Sequence, residues 1–208
     1  MRHVLVLHGL GRTAVSMQRM AFRLNEAGYQ VTSVNYPSTF GGIDELTALI
    51  APLVPTDGTV DMVGHSMGGL LAKRLMRLLP ANRRGRIVQL GSPNLGSEAA
   101  SQLAFLSPFL GDALKDLVPS SGNDDSDLEI GAIAGTRPVG VLAVMVDRSV
   151  EHDGMVTVES AWAAASPQRR IKIATSHTIL PIHSDAVAET IHFLRTGEFS
   201  KSATTPSD

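Results

Sequence analysis

Short apolar runs alternate along nearly the whole chain with longer stretches in which apolar positions recur at helical spacing. The runs at 3–8, 30–35, 60–64, 86–90, 129–134 and 171–176 are dense in Val, Ile and Leu, as in strands buried on both faces of a parallel sheet. Between them the helical spacing predicts helices over 16–27, 43–54, 67–79 and 184–194. Ser16 and Asp185 suit helix starts, and Gly28 and Gly197 suit stops. Repeated strand–helix–strand units with right-handed crossovers predict an α/β fold. The expected sheet is doubly wound and mostly parallel, with about six strands and helices on both faces.

Two segments break the rhythm. Residues 92–128 hold no strand pattern; Ala99, Leu103, Leu106, Leu110, Leu114 and Leu117 recur near helical spacing, with Pro108 dividing the stretch into two short helices. The stretch 97–128 reads either as ordinary crossover packing or as a flap over a substrate pocket. In the second case Leu106, Phe109 and Leu110 would line an acyl pocket. The acidic run 123–127 lacks the glycine of a calcium loop and reads as a solvated turn. Residues 137–152 hold an extra strand candidate at 139–146 and a loop. The tail 200–208 is expected to be disordered, and 1–199 to form one domain.

Composition narrows the function. In 208 residues, 43% are hydrophobic and 18% charged, which excludes a disordered chain and allows a sizeable core. A net charge of −2 and only nine aromatics leave no footprint for nucleic acid. With no cysteine there is no disulfide scaffold, thiolate metal site or Cys nucleophile. No run approaches the roughly 18 apolar residues of a membrane span. The start, Met1 to Gly9, reads as a first strand entering a glycine turn rather than as a signal peptide, which favours the cytoplasm. No protein partner can be inferred.

The chemistry concentrates in Val60-Asp61-Met62-Val63-Gly64-His65-Ser66-Met67-Gly68-Gly69, where a strand leads into Gly-x-Ser-x-Gly and a helix leaves it. A serine on so sharp a turn needs neighbours without bulk two positions before and after it. The turn projects the Ser66 Oγ from the strand end. It also sets the Met67 N–H at a helix N-terminus, where it can stabilise an oxyanion.

Gly64-His65-Ser66-Met67-Gly68-Gly69 resembles the nucleophile elbow of α/β-hydrolase-fold lipases and esterases, and the likeness extends over most of the chain. His8-Gly9-Leu10-Gly11 resembles that family's oxyanion loop, which implies the Leu10 N–H as second donor. Gly91-Ser92-Pro93-Asn94-Leu95-Gly96-Ser97 resembles its Gly-x-Pro-x-x-Gly segment. Asp153-Gly154-Met155-Val156 is similar to the segment carrying the triad acid, and Ser176-His177-Thr178-Ile179-Leu180 to the one carrying the base. Residues 193–199 resemble the closing helix. Starting directly at the strand before the oxyanion loop, and without a large cap, the chain looks like a minimal member.

Chain order gives an independent check, because this architecture runs nucleophile, acid, base. Of seven histidines, His152, His177, His183 and His192 follow Ser66 at a plausible distance. His177 ends a strand-like run, where catalytic groups belong, and His183 is its main competitor. His65 is expected to support the elbow, and His8 to shape the oxyanion loop. For the acid, Asp153 in its Asp-Gly-x-Val turn competes with Asp147, either of which would hold the imidazole tautomer.

Residues 9–14 also fit a dinucleotide-binding Gly-x-Gly-x-x-Ala, but the second strand ends in Asn35-Tyr36-Pro37, with no acid for a ribose. A hydrolase fold retained as a non-catalytic binding module is a second rival, against which stands a full set of triad candidates. The expectation is a serine esterase or lipase acting on small-molecule or lipid-like esters, without cofactor or metal. Thioester cleavage and acyl transfer on the same triad stay open.

Overall fold

The structure, a computed structural model, describes residues 2–95, 125–139 and 149–200. Leu106, Phe109 and Leu110, Asp147, most of the 97–128 and 139–146 candidates and the tail beyond Ser200 lie outside the described residues.

Strand β1 (Arg2–Leu7) shows why the sheet is buried on both sides. Its alternate residues point to opposite faces. Val4 and Val6 pack with Met17, Met20 and Leu24, while Leu5 and Leu7 pack with Leu46, Ile50 and Leu71. The remaining strands are β2 (Gln30–Val34), β3 (Thr59–His65), β4 (Arg84–Leu90), β5 (Glu129–Gly135) and β6 (Arg170–Ile173). They form one parallel sheet in the order β2-β1-β3-β4-β5-β6. The chain winds outward from β1 to β2, crosses back to β3, then steps onward to β6. That reversal between β1 and β3 opens a crevice at their carboxyl ends, where open α/β sheets bind ligands.

Helices cover both faces. On one lie α1 (Gln18–Glu26) and, last in the chain, α5 (Ser184–Thr196). On the other lie α2 (Ile43–Ile50), α3 (Met67–Leu78) and the short α4 (Val158–Trp162). No helix among the described residues is long and apolar enough to cross a membrane.

Boundaries depart from the periodic pattern for local reasons. Ser16 does not start α1; it sits inside a 3-10 turn (Ala14–Met17), its hydroxyl donating to the Thr13 carbonyl at 2.8 Å. Helix α2 stops at Ile50, because Pro52 cannot donate the next helical bond, and the chain tightens into a 3-10 turn (Ala51–Leu53). Helix α5 begins one residue before Asp185, with the His183 ring accepting the Asp185 N–H at 3.3 Å. Gly197 closes that helix in the left-handed conformation, as expected. The five-residue α4, too short for a periodic signal, is capped by the Thr157 hydroxyl, which accepts the Ser160 N–H at 3.2 Å.

The acidic turn is not simply solvated. Asp125 accepts from Lys73 at 2.9 Å and from Arg77 at 2.7 Å, two cations one turn apart on α3.

Candidate active site

Ser66 has φ 55° and ψ −125°, and it is the only described residue other than glycine with positive φ. Such a conformation costs on the order of 1–3 kcal/mol and persists only where its surroundings over-determine it. Here the Ser66 N–H donates to the Leu90 carbonyl at 2.9 Å, and the Ser66 carbonyl accepts from the Gly69 N–H at 3.0 Å. The flanking glycines are obligatory. A Cβ on Gly64 would stand 2.3 Å from the Gly68 carbonyl oxygen, and one on Gly68 would stand 2.5 Å from that of Leu7. The spacing read from the sequence therefore has a steric cause.

Met67 N–H, at the first position of α3, donates to no described residue, and neither does Leu10 N–H. The loop carrying Leu10 lies against the serine: a Cβ on Gly9 would be 3.2 Å from the Ser66 Cβ. A turn over Gly11, closed by the Arg12 N–H donating to the Gly9 carbonyl at 3.3 Å, shapes it. His8 braces the loop from beneath. Its Nδ1 donates to the Gly9 carbonyl at 2.9 Å, its Nε2 accepts the Tyr36 N–H at 3.4 Å, and its ring stacks on Tyr36 with centroids 4.0 Å apart. The Tyr36 hydroxyl donates back to the His8 carbonyl. Burial pushes the His8 pKa below its ordinary value, against the opposing pull of the Gly9 carbonyl.

Strand β6 ends at Ile173, earlier than its apolar pattern suggested, because the Thr175 N–H turns back to the Ile173 carbonyl at 2.7 Å. That bend carries His177 off the sheet edge towards Asp153. The His177 Nδ1 lies 2.7 Å from Asp153 Oδ2, both residues being buried at 4% and 1% exposure. The other Asp153 oxygen, Oδ1, accepts the N–H groups of Met155 at 3.0 Å and Val156 at 2.8 Å. One oxygen is thus held by backbone and the other by the imidazole. The His177 N–H also donates to the Asp153 carbonyl at 2.9 Å.

His65 joins this pair to the elbow. Its Nε2 donates to the His177 carbonyl at 2.9 Å, with ring centroids 4.7 Å apart. Complete burial, then the neighbouring charges of His177 and Arg12, hold the His65 pKa well below its ordinary value. Ser66 and the imidazole–carboxylate pair therefore share one corner at the carboxyl ends of β3, β5 and β6. The other histidines lie elsewhere: His152 is buried, its Nδ1 accepting the Gly154 N–H at 3.1 Å, His183 caps α5, and His192 is exposed on α5.

Three contributors escaped the sequence reading as site residues. Gly91, with φ 58°, leaves the gap in which the pair meets; a Cβ there would stand 3.0 Å from Asp153 Oδ2 and 3.1 Å from His177 Nδ1. Its only sequence signal was its place at the head of the Gly-Ser-Pro segment. Behind the elbow, Gln89 donates to the Gly69 carbonyl at 2.8 Å, and Asn94 donates to Gln89 at 3.0 Å and to the Ala161 carbonyl at 3.2 Å. This buried chain of bonds ties α3 to β4 and α4.

A strained serine at a strand–helix turn, beside a buried imidazole–carboxylate pair on a parallel sheet, defines a class: the α/β-hydrolase fold. Residues 4–187 match the Alpha/beta hydrolase family, and the chain belongs to it. Among solved structures it is similar to the lipase BlEst2 of Bacillus licheniformis in its mature form. There the TM-score is 0.72 at 18% identity, covering 95% of this chain and 92% of that one. It is also similar to the type II thioesterase BorB from the borrelidin biosynthetic cluster, with a TM-score of 0.61 at 22% identity, covering 94% of this chain and 92% of that one. A stretch of 91 residues is 29% identical to Norfluorocurarine synthase 2 of Strychnos sp, covering 38% of this chain and 34% of that protein. The match thus spans about a third of that curated relative's length.

Proposed function

We propose that this hydrolase cleaves carboxylic esters through an acyl-enzyme on Ser66. The observation that carries the reading is the 2.7 Å contact between Asp153 and His177 at the same strand ends as the strained serine. His177 Nε2 takes the Ser66 proton as Oγ attacks the ester carbonyl. Asp153 keeps the proton on Nδ1 and stabilises the imidazolium. The N–H groups of Leu10 and Met67 hold the tetrahedral oxyanion, each being a donor with no described partner of its own. His177 then protonates the leaving alcohol and activates the water that releases the acid. Small-molecule or lipid-like esters suit this chemistry. Thioesters are cleaved by the same geometry, and BorB, which shares the fold, is a thioesterase.

A fluorophosphonate probe should label Ser66, and Ser66→Ala should lose both label and esterase activity while keeping its melting temperature. Labelling that persists in the variant, or a wild-type chain that takes no label, overturns the assignment. A panel of p-nitrophenyl esters and acyl thioesters of increasing chain length then ranks the substrates.

A further inference from the structure

The ester-cleaving reading leaves one part of the site's surroundings without a role. A cavity of about 510 Å³ opens beside the loop after β1, lined by Arg12, Thr13, Asn35, Tyr36, Ser38 and Thr39 among others, with no carboxylate among the described lining residues. Its wall begins at Gly11, two residues along the same loop from Gly9, which lies against the Ser66 side chain. Its hydroxyls can donate or accept, and those of Tyr36 and Ser38 already donate to the His8 and Arg12 carbonyls. The Asn35 amide oxygen already accepts the Ala14 N–H at 3.2 Å, so the end left over is the NH2 group.

Arg12 gives the cavity its charge. The side chain is half-buried, and its Nη2 donates to the Thr178 hydroxyl at 3.0 Å, one residue beyond His177. The guanidinium therefore links the loop after β1 to the loop after β6, one residue from His177. Half-buried Arg77 and Arg86 meet acids, Asp125 at 2.7 Å and Glu129 at 3.0 Å, while half-buried Arg83 and Arg170 donate to backbone carbonyls instead. Arg12 meets no carboxylate among the described residues. Its bond to a neutral hydroxyl orients the fork and leaves most of its N–H donors open. A cation oriented through a neutral hydroxyl and unneutralised beside a polar cavity attracts carboxylate and phosphate oxygens, which a guanidinium binds through two parallel bonds.

We propose that Arg12 and this cavity select ester substrates carrying an anionic oxygen group, a carboxylate or a phosphate, within reach of the reacting carbonyl; this rests on the ester-cleaving reading of the site. The test compares p-nitrophenyl hemiglutarate with uncharged p-nitrophenyl pentanoate, acyl chains of equal length. The wild-type chain should favour the hemiglutarate in kcat/KM, and added salt should erode that preference. Arg12→Gln should lower the hemiglutarate-to-pentanoate ratio by about tenfold, the effect of one charge-assisted contact, and Arg12→Lys should restore part of it. Glutarate and inorganic phosphate, as competitors of pentanoate hydrolysis, separate the two sources: the tighter inhibitor names the anion, and Arg12→Gln should weaken it. A ratio unmoved in Arg12→Gln, with neither anion competing, overturns the proposal. If neither ester is cleaved, the ester reading fails. Calorimetric binding of glutarate and phosphate to wild type and to Arg12→Gln then decides the anion site by itself: loss of binding in the variant supports it, and equal or absent binding overturns it.

Discussion

Asp153 divides its two carboxylate oxygens between different tasks, and that division makes its proposed role testable. Oδ1 is held by the Met155 and Val156 N–H groups, and Oδ2 faces the His177 Nδ1. In Asp153→Asn the amide oxygen can keep the backbone bonds, which preserves the turn. The NH2 end then opposes Nδ1 and favours the wrong imidazole tautomer. The expected outcome is a loss in kcat of up to roughly 10⁴-fold with little change in KM or melting temperature. Steady-state kinetics decide it. A loss below about tenfold, with a larger one in Asp147→Asn, would move the acid to Asp147. The elbow was legible at this scale because its steric demand falls on neighbours in sequence, Gly64 and Gly68 around Ser66. The choice of His177 over His183 was harder to read, since both follow β6 within ten residues. A single turn at Thr175 decides which ring reaches the carboxylate.

The carboxyl end of β4 is the element on which the site converges. Its last residue, Leu90, accepts the Ser66 N–H, and Gly91 donates to the Ile133 carbonyl on β5 at 2.9 Å. Gly91 also leaves room for the pair beside it. Gly91→Ala would combine a Cβ in a left-handed backbone with a contact of 3.0 Å to Asp153 Oδ2. The strain is worth on the order of 1–2 kcal/mol. The variant should therefore melt several degrees lower, and its kcat should fall further than that stability loss explains, because the ring and carboxylate are pushed apart. Thermal melts and kinetics on the same preparation check this; unchanged kcat would mean the pair tolerates the methyl group. Strands and long helices were visible in the sequence because burial on two faces or one leaves a periodic trace. Helix α4 left none in five residues, and the ends of α1 and α2 followed Thr13 and Pro52 rather than hydrophobic period.

Across the whole molecule, the buried histidines tie stability to pH. Burial lowers the pKa of His8 below 6.5, and burial with nearby positive charge lowers that of His65 further. Well above pH 6.5 both states are neutral at these residues, and no stability is at stake. As pH falls below 6.5 the unfolded chain takes up protons that the folded chain refuses, so stability declines. Melting temperature should drop between about pH 7 and about pH 5, and the drop should shrink in His65→Gln; a flat profile in the wild type would contradict the burial of these rings. Asp125 acts in a lower window. Burial pushes its carboxyl up, but the Arg77 and Lys73 bonds together outweigh that and hold it below 3.8. Its contribution is therefore full above that pH and is lost only as pH falls through the depressed value.

What this sequence determined by itself were the features with short-range causes. The alternation of strand and helix follows from period and burial, the elbow from the bulk its neighbours lack, and the family from motifs strung in order along the chain. Tertiary structure decided which groups meet. The Asp153 and His177 rings of contact close across 24 residues, those of Tyr36 with His8 across 28, and that of Arg12 with Thr178 across 166. No local pattern encodes such pairings, because they depend on which strands become neighbours and where each one ends. A bend after Ile173 and the missing side chain at Gly91 set the imidazole against its carboxylate, and the adjacency of β3, β4, β5 and β6 brought that pair to the same end of the sheet as Ser66.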